Sequence, residues 1–238
     1  MVTITEQEKQ DILIKAKEQF REKVAEKHIA NTAKCTNLEE FNVNPFLLTY
    51  LAQYGFGDSS PESLAKALVY PRVLGTSINT TFGNFIQSFC NDVLQSYASI
   101  VQGMDIEFID ALDGRKKYCQ LKAGPNTINS KDVQPIIGEF NNIKNLARTN
   151  RMPDFNPLHD CIVCIIYGTR AELSNNYKNI EKEYPVFIGQ EFWHRLTGDA
   201  DFYSELISAF VETAAESNGV ELINNVVAEL ADKIRNTL

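Results

Sequence analysis

The run Cys161-Ile-Val-Cys-Ile-Ile limits what this chain can become more than any other stretch. It is apolar at every position and rich in β-branched residues, so as a strand it offers no polar face to water. A strand of that kind belongs in the middle of a sheet whose two faces are covered by helices. The neighbouring segments agree. Residues 105–123 alternate around Asp113-Gly114, a dipeptide that favours a two-residue hairpin turn, with Tyr118 to Ala123 as the returning strand. Pro185 to Gly189 reads as a further short strand. Phe82, Phe85, Ile86, Phe89, Val93 and Leu94 recur at helical spacing. Other helices are expected over 5–30, 37–53, 62–70, 130–148, 171–182, 190–196, 199–214 and 220–236, with Gly219 separating the last two. This order predicts an α/β fold, a single domain with a mixed central sheet flanked by helices. Residues 1–74 form a helical N-terminal elaboration, 75–210 a core and 211–238 a C-terminal helix.

Composition narrows the class of protein. No segment approaches the roughly 18 apolar residues that a membrane span needs, and the start of the chain is too polar and acidic for a signal peptide. The expectation is a cytoplasmic protein with no membrane partner. Cys161 and Cys164 form a CxxC, yet inside a strand they point to opposite faces, so they read as buried structural thiols. A net charge of −8 argues against a general nucleic-acid coat. Arg115, Lys116 and Lys117, and then Lys144, Arg148 and Arg151, form local basic clusters that read as solvated faces. His28 is expected to be solvated, His159 to be structural, and Phe192 and Trp193 to anchor a helix in the core.

With a two-residue turn at 113–114, Asp105 lies opposite Lys122 and Glu107 opposite Gln120. Alternation then gathers these four side chains on one face and leaves Ile106, Phe108, Cys119 and Leu121 on the other, for the core. The polar side of an amphipathic hairpin accounts for this pattern. So does phosphodiester hydrolysis, in which a carboxylate holds a hard cation and a lysine stabilises developing charge.

Asp105 followed by Gln120-Leu121-Lys122 resembles the PD-(D/E)XK nuclease signature. The surrounding GMDIEFIDALDGRKKYCQLKAGPNTINSKDV resembles the active-site hairpin of certain type II restriction endonucleases, in which the lysine strand runs into an (S/A)GPNTIN segment. VFIGQEFWHRLTGDADFY is similar to a C-terminal block of that group, which includes cutters of GG-N-CC-type sites. The resemblance covers residues 75–210. It implies that Asp105 binds the metal, with Met104 where the family has proline, and that Lys122 is the catalytic lysine. It also implies that the Leu121 backbone carbonyl joins the metal shell. Gln120 stands where the family has Asp or Glu, and Glu107 is the neighbour that could supply the missing carboxylate. Gln87 stands where many relatives carry a glutamate on the preceding helix. The implied cofactor is Mg²⁺, and the implied partners are double-stranded DNA and a second copy of the chain. Asn126, Thr127, Asn129, Lys131 and Arg148 are candidate DNA contacts. For Gly124 to Asn129 a strand-ending turn feeding a helix, capped by Asn129 or Ser130, is an equal reading. Two other functions remain open: a structure-specific repair or recombination nuclease, and a DNA-binding protein on a degenerate nuclease fold, motivated by Gln87 and Gln120.

Overall fold

The structure is a computed structural model that describes residues 5–94, 97–152 and 154–237, the side chains at 87, 88, 90–93 and 237 excepted. The expectation at Gln87 therefore lies outside the described residues. Helices α1 (Glu6–Phe20), α2 (Glu26–Lys34), α3 (Pro45–Phe56), α4 (Pro61–Pro71) and α5 (Ile78–Val93) precede the sheet. β1 (Ile106–Ile109) and β2 (Lys116–Lys122) are followed by α6 (Ser130–Thr149), the single turn α7 (Pro157–Asp160) and β3 (Cys161–Ile165). Then come α8 (Asn175–Glu181), β4 (Val186–Ile188), α9 (Gln190–Thr197), α10 (Phe202–Ala215) and α11 (Gly219–Thr237). The chain divides into two compact units, one of Met1–Ala16 with Ile86–Ser208, the other of Lys17–Phe85 with Ala209–Leu238. Helices from the two ends of the chain thus share the second unit.

The first unit is built on a sheet of order β1-β2-β3-β4, with β1 antiparallel to β2 and the remaining pairs parallel. The α/β class with a mixed sheet flanked by helices is as the sequence predicts. All five residues of β3 are buried, and each aliphatic side chain there gains about 1.5–3 kcal/mol from leaving water. Tyr118, Val163, Ile165, Val186 and Ile188 pack with Val133, Ile136, Ile137 and Phe140 of α6 and with Tyr177 and Ile180 of α8. The other face meets α9. Phe108 packs edge-on to Phe192, and the indole N–H of Trp193 donates to the Ile166 carbonyl at 2.9 Å. Cys161 and Cys164 are free and buried.

The second unit packs α4 against α3 and α11, with Ala52, Leu64, Val69, Val226, Leu230 and Ile234 in its core. Two local expectations change here. The helix foreseen from Asn37 begins only at Pro45, because Asn44 caps it by accepting from the Leu47 N–H and Pro45 fits the first turn. His28 is half-buried rather than solvated, its Nε2 lying 3.0 Å from the Val73 carbonyl oxygen.

The hairpin also departs from its expected register. Glu107 pairs with Tyr118 and Ile106 with Cys119, a slip of two residues that keeps the side chains of the paired residues on their foreseen faces. The Asp110 N–H donates to the Arg115 carbonyl, so four residues, 111–114, close the loop. A two-residue turn of the Asp-Gly kind needs positive φ at both central positions. Only Gly114 has it (φ 71°), while Asp113 instead accepts from the Arg115 N–H and Asp110 from the Leu112 N–H.

Candidate active site

Asp105 stands at the exposed end of β1, where the ladder stops. Ile106 pairs with Cys119, and the Asp105 N–H also donates to the Cys119 carbonyl at 2.9 Å. Two consecutive residues meeting one partner make a β-bulge, which re-aims a side chain. The Asp105 carboxylate accordingly turns along the strands, and its Oδ2 accepts from the Leu121 N–H at 2.7 Å. Backbone groups of β2 alternate in direction, and those of Cys119 face β1. Leu121 lies beyond the last ladder pair, so without Asp105 its N–H would have no strand partner. The same alternation turns the Leu121 carbonyl toward that edge. Asp105 is thereby tied to the segment Gln120-Leu121-Lys122 by its own side chain.

Gln120 is buried and its Nε2 donates to the Gly103 carbonyl at 3.2 Å. Gly103 has φ +86°, and a side chain there would collide with the carboxylate of Glu139 from α6. Glu139 therefore brings a further carboxylate to the loop that Gln120 holds. The sequence gives no sign of this, since Glu139 reads as one more polar residue on an amphipathic helix. Lys122 is half-buried on the same face as Gln120 and forms no ion pair among the described residues.

Glu107 is committed elsewhere. It accepts from Ser99 Oγ at 2.6 Å and pairs with Lys116 Nζ at 2.6 Å. Burial pushes its carboxyl up, but the hydrogen bonds from Lys116 and Ser99 outweigh that and hold it below the usual glutamate range. The basic triplet is likewise spent. Arg115 grips Asp160 with two hydrogen bonds of 2.6 Å, and Lys117, only 1% exposed, pairs with Asp113. The expected solvated basic face at 115–117 is thus a set of ion pairs, because the hairpin loop and α7 supply carboxylates within reach.

The candidate DNA contacts divide. Asn129 caps α6 in a reciprocal box with Asp132, as the turn reading foresaw. The Thr127 hydroxyl donates to the Gly124 carbonyl at 2.9 Å and lies 3.0 Å from the Tyr177 hydroxyl, whose ionisation burial pushes up to about 12. Asn126 and Lys131 are exposed beside this turn. Arg148 is exposed at the far end of α6, some 25 Å along the helix from Lys131 at about 1.5 Å per residue. The structure does not bring those two together.

Among the described residues no three His, Cys, Asp or Glu side chains gather at one point. What the β1–β2 edge offers is oxygen: the Asp105 carboxylate and the Leu121 carbonyl, with the Gln120 side-chain amide nearby. Such a set suits a hard cation that keeps most of its waters.

A sheet edge with one anchored aspartate and a half-buried lysine fits a nuclease, and comparison with known families gives the class. The family model described as type II restriction endonuclease EcoO109I matches residues 13–218. The chain belongs to that family of restriction endonucleases, nucleases acting on DNA. No curated protein matches the chain.

Proposed function

We propose that this protein is a type II restriction endonuclease that hydrolyses both strands of a specific DNA sequence, depends on Mg²⁺ and leaves 5′-phosphates. The observation that carries this reading is the 2.7 Å hydrogen bond from the Leu121 N–H to Asp105 Oδ2, which joins the two halves of the signature. Asp105, the Leu121 carbonyl and the Gln120 amide oxygen would hold the cation. When bound, Mg²⁺ supplies charge stabilisation on the phosphate and a water of lowered pKa. Lys122 pairs with no carboxylate among the described residues, and its ammonium would stabilise the developing phosphorane charge. Asn126 and Lys131, exposed beside the strand end, would meet the DNA backbone and contribute salt-dependent affinity. Two copies related by a two-fold axis would match a palindromic site, each cutting one strand.

The test is a digest of phage-length DNA in about 10 mM Mg²⁺, a level suited to weakly held sites, and in EDTA. Discrete bands that vanish with EDTA support the proposal. A smear refutes sequence specificity. DNA that stays intact but shifts on a gel refutes catalysis and favours the binding-protein reading, for which the neutral, buried Gln120 is the motive.

A further inference from the structure

Helix α3 is apolar on both of its sides. Leu48 and Ala52 are buried toward α4. On the opposite side Phe46 is 91% exposed, Leu47 51%, Tyr50 60%, Leu51 40% and Tyr54 80%. At about 100° per residue these five positions fill one continuous stripe roughly 140° wide. A surface helix ordinarily turns charged or polar residues outward there. The sequence of α3, PFLLTYLAQYGF, contains no charged residue at all.

We propose that this stripe is the contact between two copies of this chain, α3 packed on α3 about a two-fold axis. The inference rests on the two-fold reading of the nuclease and deepens it by naming the surface. Three observations favour a second copy as the occupant. First, a two-fold contact places a patch against itself, so any charge on it risks meeting a like charge; α3 has none. Second, the area is right. A fully exposed aromatic side chain offers on the order of 200 Å², so these five side chains, weighted by their exposure, present roughly 600 Å² per copy. That approaches the ~800 Å² each partner gives to a standard interface, the remainder being polar rim. Third, Tyr50 and Tyr54 are stacked at 5.8 Å, a rigid aromatic pair of the type enriched in interface cores. Phosphate is a poor occupant for an uncharged apolar stripe. An anionic membrane surface is opposed by Glu39 and Glu40, just before the helix.

The experiment is sedimentation equilibrium of the full chain without DNA or metal, so its outcome does not depend on whether the protein cuts. The expected result is a particle of twice the 26.9 kDa chain mass, and a particle of single mass for the double variant Phe46→Glu, Tyr54→Glu with unchanged helical circular dichroism. Because both residues are exposed, the fold should survive. The milder pair Phe46→Ser, Tyr54→Ser covers the case in which it does not, and should weaken dimerisation at least tenfold. In the wild type, amide exchange in α3 should slow as concentration rises through the dissociation constant. A wild type that stays monomeric overturns the inference. So does a double variant that stays dimeric, which would leave the two-fold reading intact and point to another surface. Failure to cut DNA with the dimer intact would sink the nuclease proposal and not this one.

Discussion

Asp105→Asn separates the chemistry of the candidate site from its architecture. The Asp105 side chain is exposed, and the contact it makes is the hydrogen bond from the Leu121 N–H. Asparagine keeps an oxygen acceptor of the same reach for the Leu121 N–H, removes the charge and turns the other oxygen into an amide donor. Ionised and neutral acceptors differ by about 1 kcal/mol in net worth, and solvent reduces that further, so the unfolding free energy should fall by no more than about 1 kcal/mol. Alanine would be a worse probe, because it leaves the Leu121 N–H unpaired at a cost of about 1–3 kcal/mol. The effect on cleavage should be far larger. A cation's stabilisation of a transferring phosphate is worth several kcal/mol. Losing about 4 kcal/mol of it, at about 1.4 kcal/mol per decade, is roughly a thousandfold in rate. Single-turnover cleavage of a plasmid carrying one site, beside a urea melt of the same preparation, measures both quantities. Cleavage within tenfold of wild type would refute Asp105 as the metal carboxylate. A stability loss above about 3 kcal/mol would show that the residue serves the fold instead.

Three further outcomes follow from the same geometry. Asp110 is fully buried and accepts from Arg195 Nη1 at 2.7 Å, with Lys117 Nζ at 3.8 Å; Asp110→Ala leaves Lys117 its Asp113 partner but takes the carboxylate from Arg195, and should cost about 3 kcal/mol in a urea melt, whereas a cost under 1 kcal/mol would mean that solvent compensates Arg195. Glu107 titrates below its unfolded value of about 4.3, so its stabilising contribution is complete above that pH and disappears as pH falls through the lower folded value. Glu107→Gln should therefore flatten the acid limb of stability against pH, and parallel wild-type and variant curves below pH ~4.3 would contradict the ion pair's role. Gln120→Glu loses the donor to the Gly103 carbonyl and adds charge beside Asp105, so it should lower stability in EDTA by about 1–3 kcal/mol and reduce severalfold the Mg²⁺ needed for half-maximal cleavage. An unchanged Mg²⁺ requirement would count against position 120 meeting the metal.

What could be read in advance was whatever depends on local pattern. The β3 run is apolar at each position and is buried at each position. Period-two alternation in the hairpin assigned Phe108, Cys119 and Leu121 to the core, and they are there. The pairing itself was not legible, because a slip of two changes no face and so leaves no trace in the pattern. The loop length was set by tertiary partners: Lys117, held by the His159 carbonyl, fixes Asp113, and that overrides the Asp-Gly preference. The bulge at Asp105 has no sequence signature, since it depends on one extra hydrogen bond to Cys119. The charge triplet 115–117 misled for a similar reason, its carboxylate partners coming from as far as Asp160. Glu139 was invisible because only the fold brings it over Gly103.

Gln120, where the nuclease signature that the sequence resembles has an acid, has a structural task that an acid could not perform. Its amide donates to the Gly103 carbonyl, and an ionised carboxylate is an acceptor only. Gly103 must itself be glycine, for two reasons: its φ of +86° disfavours any side chain, and the space a Cβ would take is filled by the Glu139 carboxylate. From Gly103 the chain runs through buried Met104 directly into Asp105. The amide thus pins the loop from which Asp105 departs, while the bulge and the Leu121 N–H fix where its carboxylate ends. An acid at position 120 would add a negative charge and release that loop in one step. Glutamine at this position gives up a charge for a hydrogen bond that holds the loop before Asp105 in place, and the negative charge near the loop is carried by Glu139 on α6 instead of by the strand.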